Sequence, residues 1–390
     1  MSLEQFSKEN NKERDLDNKE ASSSLNYNKA EEEVTVQSKL EDKKTEKQKE
    51  FLELKEFLEK EVYPFFGVDE ETEKAKIEEI KNDSEITSEN IRKIKIQSFA
   101  KMRQYLETTF KIILWHCPQY SREEIWDSIK EYYFNYIKDA CEVKRNMHIN
   151  GIKKLLETGH ILPSYEIEKR RNLDQAHVSS GRAELLLKAE QMLGFREEEH
   201  INYFTFRSNK LDFDKKNCYY YGLLEIAIDP NRIKNRATVW NLDVGDLNLH
   251  NIYDLNRMEN LPPKGGYCLV SLDFAPILRT IEDFIYFTDP YFGGQELLER
   301  GLNKEDLKKV IDKQPYGAGE EFLEVHVVGN IDLEKDIKEI TFLEPREEKE
   351  REQILNALDI VYKNYHQYWN LVAEKWKNEY FDSSKIPDKV

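Results

Sequence analysis

The chain has 390 residues, of which 39% are hydrophobic and 12% aromatic, enough for two or three domains with a buried core. Its formal net charge of −17 argues against general nucleic-acid binding, because contacts to phosphates need clustered lysine and arginine. No apolar run approaches the length of a membrane span, and the first residues lack the positive-then-apolar pattern of a signal peptide. We therefore expect a cytoplasmic protein that does not bind membranes. The cysteines form no CxxC pair, so no metal site is expected.

The N-terminal third is predicted to be a disordered tail followed by helices. Residues 1–45 are rich in Glu, Lys, Asn and Ser and nearly lack large apolar residues, so they cannot bury enough surface to offset the entropy of ordering. Helical periodicity follows, and we expect a helical domain at 46–143 with an acidic linker at about 68–87. Within this domain, Ser121 with Glu124 three residues later is a capping-box signature for the start of a helix.

The next stretch places a histidine before a short helix. His148 ends an extended segment, and apolar residues spaced three and four apart predict a helix at 152–158. Asn150 is the predicted N-cap of this helix, and Gly159 fits the left-handed position that ends it. A histidine held at a strand end in this way can meet a ligand. The alternative is a surface histidine before an ordinary amphipathic helix.

From residue 144 onwards, strands alternate with short helices and long loops, which is typical of a mixed fold. Segments rich in β-branched and aromatic residues predict strands at 201–207, 219–229, 236–244, 267–274, 322–328 and 339–342. Helices are predicted at 182–193 and 275–284, and helical periodicity returns at 347–380.

The strand predicted at 322–328 contains a carboxylate among apolar residues. Glu324 and His326 fall on the same side of this strand, because side chains alternate between its two faces. A carboxylate there is costly to remove from water unless it is paired, protonated or facing a cleft, which makes Glu324 a candidate site residue. The alternative is an edge strand on which both side chains face water.

Three motifs, taken in order, resemble those of the ADP-ribosyltransferase superfamily. The first is H-I-N-G-I-K-K-L-L-E-T-G-H-I-L-P at 148–163, where many members have a histidine, a short helix and a glycine. The second is Y-Y-G-L-L-E-I-A-I-D-P at 220–230, and the third is E-V-H-V-V-G at 324–329. The resemblance covers roughly residues 145–343 and is to bacterial toxin members of the His–Tyr–Glu type. These enzymes cleave NAD and are built on a split, highly curved antiparallel β core.

The resemblance implies a fold class and domain boundaries. It implies an α+β protein with a curved split antiparallel β core of ADP-ribosyltransferase type at 144–345. The helical domain at 46–143 then forms an N-terminal layer on this core. A C-terminal helix and tail follow at 346–390.

The resemblance also implies roles for individual residues. His148 corresponds to the histidine that hydrogen-bonds the adenosine ribose of NAD, and Asn150 and Gly151 continue the cofactor-binding turn. Glu324 corresponds to the glutamate that contacts the nicotinamide ribose and steadies the developing oxocarbenium ion. That role suits a carboxylate placed where positive charge appears during the reaction. Tyr203 corresponds to the aromatic residue that packs on nicotinamide.

Some of these assignments have alternatives in the sequence. Phe204 is an alternative to Tyr203 for the nicotinamide contact, as are the three tyrosines at 219–221. Arg182 and Arg207 are candidates for contacts to the NAD phosphates. The other interpretation is that the aromatic residues belong to the core of the sheet and that the arginines are solvated.

The implied function is that of an NAD-dependent ADP-ribosyltransferase, a bacterial toxin or effector delivered into another cell by a specialised secretion system. It would cleave the nicotinamide–ribose bond of NAD and transfer ADP-ribose to a protein or nucleic-acid acceptor. Phe322 stands where the arginine-modifying branch has the first residue of its Glu-x-Glu motif, which argues against arginine as the acceptor. Two alternatives are an NAD glycohydrolase, with water as the acceptor, and a non-catalytic protein-interaction module.

Overall fold

A computed structural model of the chain describes residues 48–164, 166, 186–188, 190–191, 193–196, 198–210, 222–241, 268–288 and 323–384. The chain divides into two compact units, Met1–Val62 and Tyr63–Val390. In the first unit, residues 48–57 form an α-helix and Leu58–Val62 form a π-helical turn. The tail predicted at 1–45 lies outside the described residues, and the predicted domain boundaries stay predictions.

The helices of the second unit confirm the short helix predicted at 152–158 and the helix predicted at 275–284. Its described helices are α1 (Tyr63–Phe66), α2 (Glu70–Asn82), α3 (Glu89–His116), α4 (Arg122–Tyr132), α5 (Ile152–Thr158), α6 (Pro230–Ile233), α7 (Ala275–Thr288), α8 (Glu348–Asn364) and α9 (Glu374–Ser384). Half of the helix predicted at 182–193 lies outside the described residues, and in the other half residues 186–188 and 190–191 are helical. In the part of the chain that the structure describes, no helix is long and apolar enough to cross a bilayer.

The segment predicted as an acidic linker at 68–87 contains the helix α2, so that prediction is wrong for most of its length. Asp69 caps the helix, since its Oδ1 accepts a hydrogen bond from the backbone N–H of Thr72 at 2.9 Å. After the other end, the Arg92 guanidinium donates to the carbonyl of Asp83 at 2.9 Å. No residue of α2 is fully buried. Besides the contacts at its ends, Glu73 forms an ion pair with Arg103 at 2.6 Å, and Ile80 packs against an apolar cluster.

The capping box predicted at the start of α4 is confirmed. The backbone N–H of Glu124 donates to Ser121 Oγ at 3.2 Å, and the backbone N–H of Ser121 donates to Glu124 Oε2 at 2.8 Å. Each side chain therefore satisfies a backbone donor that the first turn leaves without a helical partner. This local signal is complete within four residues, which is why the sequence shows it.

Seven of the described strands form one antiparallel sheet in the order β6-β5-β7-β3-β1-β4-β9, and β2 pairs with β8 in a separate ladder. The strands are β1 (Cys141–Met147), β2 (His160–Ile161), β3 (Ile201–Ser208), β4 (Leu224–Ile228), β5 (Ala237–Trp240), β6 (Leu269–Ser271), β7 (Leu323–Val328), β8 (Ile331–Asp332) and β9 (Ile337–Phe342). Because β7 pairs with β3 on one side and β5 on the other, it is a central strand. Glu324 therefore does not lie on an edge strand.

This combination of helices with an antiparallel sheet confirms a mixed α+β fold. The strands predicted at 201–207, 322–328 and 339–342 agree with β3, β7 and β9 to within two residues over the described positions. The strand predicted at 267–274 is only partly correct. Leu269–Ser271 is extended, but Leu272–Phe274 forms a 3-10 turn that leads directly into α7.

Both edges of the sheet are covered by other elements. At β9, Val372 bridges to Ile340, and the backbone N–H of Ala373 donates to the Ile340 carbonyl at 2.9 Å. At β6, Ser98 of α3 accepts a hydrogen bond at its Oγ from the backbone N–H of Ser271 at 2.7 Å. At these positions, backbone groups that an edge strand would expose are thus bonded within the protein.

The helical stretch predicted at 347–380 is divided into α8 and α9. A 3-10 turn, His366–Leu371, separates the two helices. Beyond this turn, the Trp376 side chain lies against β9, where its Nε1–H donates to Thr341 Oγ1 at 3.0 Å. A single straight helix could not also follow the edge of β9, so packing against the sheet accounts for the break.

One face of the sheet is mainly apolar and the other mainly polar. Arg145 and Asn202 share a hydrogen bond on the mainly apolar face, and Ile201 and Trp240 lie on the mainly polar one. On the apolar face, alternate residues of the central strands are at most 5% exposed and form the core: Val143, Phe204, Phe206, Val239 and Val325. On the other face the same strands carry charged and hydrogen-bonding side chains. This division follows from the period of two along a strand.

Candidate active site

The polar face of the sheet carries the candidate site. Residues opposite one another on neighbouring strands project to the same side of the sheet. Glu324 lies opposite Thr205, which lies opposite Lys144, and His326 lies opposite Tyr203. We define the polar face by the residues Glu142, Lys144, Asn146, Tyr203, Thr205, Arg207, Glu225, Glu324 and His326.

Glu324 and His326 form a hydrogen-bonded pair on β7. They are two residues apart on the strand, and the distance between Glu324 Oε1 and His326 Nε2 is 2.6 Å. The Glu324 side chain is 13% exposed, and the His326 side chain is fully buried. The Glu324 side chain therefore keeps a small exposed area, while its histidine partner is enclosed.

Aromatic rings pack around the imidazole of His326. The ring centroid of Tyr203 lies 5.3 Å from that of His326, and the centroid of Trp240 lies 6.0 Å from it, both edge to face. Burial lowers the pKa of His326 to about 3, so the imidazole is neutral at physiological pH. The neighbouring carboxylate acts in the opposite direction, but the loss of water dominates for a fully buried ring.

A network of charged groups occupies the polar face on β1, β3 and β4. Glu225 accepts hydrogen bonds from Lys144 Nζ at 2.9 Å and from Arg207 Nη2 at 3.2 Å. Arg207 Nη2 also donates to Asn146 Oδ1 at 2.7 Å, and Lys144 Nζ lies 3.1 Å from Glu142 Oε2. The four charged side chains are at most 19% exposed. Their mutual neutralisation offsets the cost of removing them from water.

The pKa of Glu142 reflects this network. Burial raises the pKa, but hydrogen bonds from Lys338, Asn209 and Lys144 together outweigh burial and lower it to about 2. The Asn209 amide nitrogen lies 2.7 Å from Glu142 Oε2, and Lys338 contacts the other oxygen. Ionised Glu142 therefore stabilises the folded protein.

We expect Glu142→Gln to lower the free energy of unfolding at about pH 7 by about 2 kcal/mol. This loss lies between the loss on breaking an exposed ion pair and the loss on breaking a buried one. Because the folded pKa lies below the unfolded value of 4.5, this stabilisation is complete above pH 4.5 and is lost as the pH falls towards about 2. Denaturant unfolding at a series of pH values should show the difference from wild type shrinking below pH 4.5. The control, Glu78→Gln in an exposed pair with Lys81, should change stability by less than about 0.5 kcal/mol. Equal losses in both variants would contradict the role of Glu142.

His148 leaves the end of β1 as predicted, but the following helix begins differently. His148 is exposed and precedes a 3-10 turn, Ile149–Gly151, which holds Asn150. The N-cap of α5 is Gly151, with no side-chain cap bond, so the prediction that Asn150 caps this helix is wrong. The extra turn places Asn150 inside a helical turn, where its side chain cannot act as the cap. Gly159 ends α5 in the left-handed conformation with φ 68°, as predicted.

His148 does not lie beside Glu324. Lys144 is in the same cross-strand row as Glu324, and His148 follows Lys144 by four residues. With about 3.3 Å per residue along a strand and about 4.8 Å between strands, the Cα atoms of His148 and Glu324 are about 16 Å apart. The two residues therefore can share only a ligand that extends along the polar face.

The two candidate aromatic residues of β3 lie on opposite faces. Tyr203 shares the polar face with Glu324, whereas Phe204 is 2% exposed on the apolar face. Of these two rings, Tyr203 is thus the one that can meet the same ligand as Glu324. Arg182 and the tyrosines at 219–221 lie outside the described residues.

The part that His326 and other polar-face residues play did not follow from the sequence. The alternation of side chains along the strand predicts that His326 and Glu324 share one face. The hydrogen bond between them also depends on their side-chain conformations, which the sequence does not give. Lys144, Asn146, Arg207 and Glu225 meet through the register of three strands, which no local pattern gives. One signal was present, since β1 contains E-V-K-R-N, in which alternate polar residues predict one polar strand face.

Comparison with known proteins assigns no family. No protein-family model matches the chain, and no curated protein is similar enough in sequence to be identified as a relative. Among the residues that the structure describes, no group of three or more His, Cys, Asp or Glu side chains could hold a metal ion. The chemistry of the site therefore has to be inferred from the polar face itself.

Proposed function

We propose that the protein is an NAD-dependent ADP-ribosyltransferase that cleaves the nicotinamide–ribose bond and transfers ADP-ribose to a macromolecular acceptor. One observation carries the proposal. Glu324 is a partly exposed carboxylate in a central strand, hydrogen-bonded to a buried histidine of the same strand and on the same face as Tyr203. The antiparallel sheet is compatible with the β core that the resemblance in sequence implies.

The placement of Glu324 suits cleavage of a glycosidic bond to a cationic leaving group. As nicotinamide departs, positive charge develops on C1′ of the ribose, and a carboxylate close to it stabilises the transition state more than the ground state. Glu324 Oε1 is bonded to His326, so the proposal assigns Oε2 to the ribose 2′-hydroxyl. Tyr203, partly buried beside an apolar cluster, offers a ring for the nicotinamide.

The adenosine end of NAD is assigned to His148. An extended dinucleotide carries its two ribose rings on either side of a diphosphate, so their sites on the protein must lie well apart. The separation of about 16 Å between His148 and Glu324 is consistent with such a ligand along the polar face. Arg207 already donates to Asn146 and Glu225, so we do not assign it to the phosphates.

The proposal is tested by incubating the full chain with NAD and with lysates of bacterial and eukaryotic cells. We expect release of nicotinamide, measured by chromatography, together with ADP-ribose attached to a protein or nucleic acid, detected by mass spectrometry. Nicotinamide release with free ADP-ribose as the sole product would identify an NAD glycohydrolase. Absence of nicotinamide release with every lysate would overturn the proposal and favour a non-catalytic interaction module. An acceptor found in only one kind of lysate would test the expected role as a toxin or effector.

A further inference from the structure

We propose that His326 is a positioning residue that donates one hydrogen bond from Nε2 to Glu324 Oε1 and so aims the other carboxylate oxygen at the substrate ribose. This inference rests on the proposed function, since it names the group that prepares the proposed catalytic carboxylate. Three observations support it: the contact itself, the hydrogen-bonding state of the imidazole, and the packing around the ring.

The contact is short and is held by the centre of the sheet. The two side chains leave the same strand two residues apart, and the distance between their bonded atoms is 2.6 Å. His326 lies opposite Tyr203 on one neighbouring strand and opposite Thr238 on the other. A strand paired on both sides has little freedom to shift. The imidazole is therefore held in one position, from which it can orient the carboxylate.

Hydrogen bonding selects one tautomer of the imidazole. A neutral imidazole carries a single proton, on either Nδ1 or Nε2. Among the described residues, His326 Nδ1 is buried and has no hydrogen-bond partner. A proton on Nδ1 would leave a buried N–H without an acceptor, whereas a proton on Nε2 is taken up by the carboxylate. The pair is therefore an Nε2–H donor facing a carboxylate oxygen.

The packing around His326 links the two proposed functions of the site. The same imidazole contacts the ring of Tyr203, assigned to nicotinamide, and bonds to Glu324, assigned to the ribose. Trp240 packs against it from the neighbouring strand. Movement of the imidazole would displace both site residues together. This explains why a fully buried histidine, with no exposure of its own, can govern the geometry of the reacting groups.

The kinetic test compares two variants of the full chain. His326→Phe keeps a ring of similar shape but removes the donor, and we expect kcat for nicotinamide release to fall about 10- to 100-fold, because misplacement by about 1 Å costs that much. KM for NAD should stay within about threefold, because the substrate contacts themselves remain. His326→Gln retains an N–H donor and should recover most of kcat. Thermal unfolding of both variants checks that they fold.

Two kinetic results would overturn the inference. One is a wild-type kcat in folded His326→Phe, and the other is an equal loss of kcat in His326→Gln and His326→Phe. A rise in KM alone would also overturn it, since that would make His326 a contributor to substrate binding. If His326→Phe does not fold, the glutamine variant and the following measurement still decide the question.

A second measurement does not need NAD turnover. In chain labelled with ¹⁵N-histidine, nuclear magnetic resonance should show His326 with a protonated Nε2 and a bare Nδ1, its signals identified by their loss in His326→Gln. A proton on Nδ1, or on both nitrogens, would overturn the positioning inference even if the enzyme is active. If wild type consumes no NAD, the proposed function fails, and the catalytic use of the pair fails with it. The nuclear magnetic resonance result then still reports whether the pair exists.

Discussion

Glu324→Gln is expected to bind NAD and to release nicotinamide at least about 100-fold more slowly than wild type. The amide has nearly the same shape as the carboxylate and can still accept the hydrogen bond from His326, so the site should keep its geometry. It lacks the negative charge that stabilises the oxocarbenium ion in the transition state. Rates of nicotinamide release at saturating NAD, with binding followed by thermal shift, measure the two effects separately.

The matched control for Glu324→Gln is Glu339→Gln. Glu339 is a partly exposed glutamate of the edge strand β9 in the same sheet, and the chemical change is identical. It should leave the rate of nicotinamide release unchanged. Wild-type turnover in Glu324→Gln would show that the reaction uses another carboxylate. A similar loss in both variants would point to an effect of net charge on the sheet.

Gly222→Ala is expected to lower the free energy of unfolding by more than about 3 kcal/mol, the sum of backbone strain and overpacking. Gly222 has φ 120°, a conformation that residues with a side chain rarely adopt. A Cβ at this position would lie 2.2 Å from the carbonyl oxygen of Met147 and 2.6 Å from the backbone nitrogen of His148. Denaturant unfolding followed by circular dichroism measures the loss.

Gly329→Ala is the control that separates strain from collision. Gly329 also has a positive φ, of 81°, but a Cβ there would meet no heavy atom within 4 Å. Its replacement should cost about 1–2 kcal/mol, from backbone strain alone. Equal costs for the two variants would mean that the end of β1 moves aside without penalty. In that case the close approach of Gly222 to the end of β1 would not contribute to stability.

The features that the sequence predicted well are those whose causes lie within a few residues. The helix at 152–158 and its glycine stop follow from apolar spacing and from one left-handed residue. The strand β7 follows from alternation, and the cost of burying a carboxylate makes Glu324 a candidate from the sequence alone. The capping box of α4 is likewise a contact between residues three apart.

The features that were missed depend on distant parts of the chain. Composition predicts a linker where α2 lies, because the helix is rich in charged residues and its few apolar residues, such as Ile77 and Ile80, are only partly buried. The hydrogen bond from Arg92 to the carbonyl of Asp83, beyond the end of α2, crosses a turn that the sequence does not reveal. The break between α8 and α9 arises from contact with β9. The meeting of Lys144 with Glu225 requires strand register, which follows from the whole sheet.

The covered edges of the sheet restrict how the protein can recognise a macromolecule. At β6 the backbone is bonded by Ser98 and by the Lys101 ammonium, which donates to the carbonyl of Leu269 at 3.4 Å. At β9 it is bonded by Ala373. A peptide could not join this sheet by β-augmentation without first displacing α3 or the segment before α9. A macromolecular partner would therefore be recognised by means other than the addition of a strand at these positions.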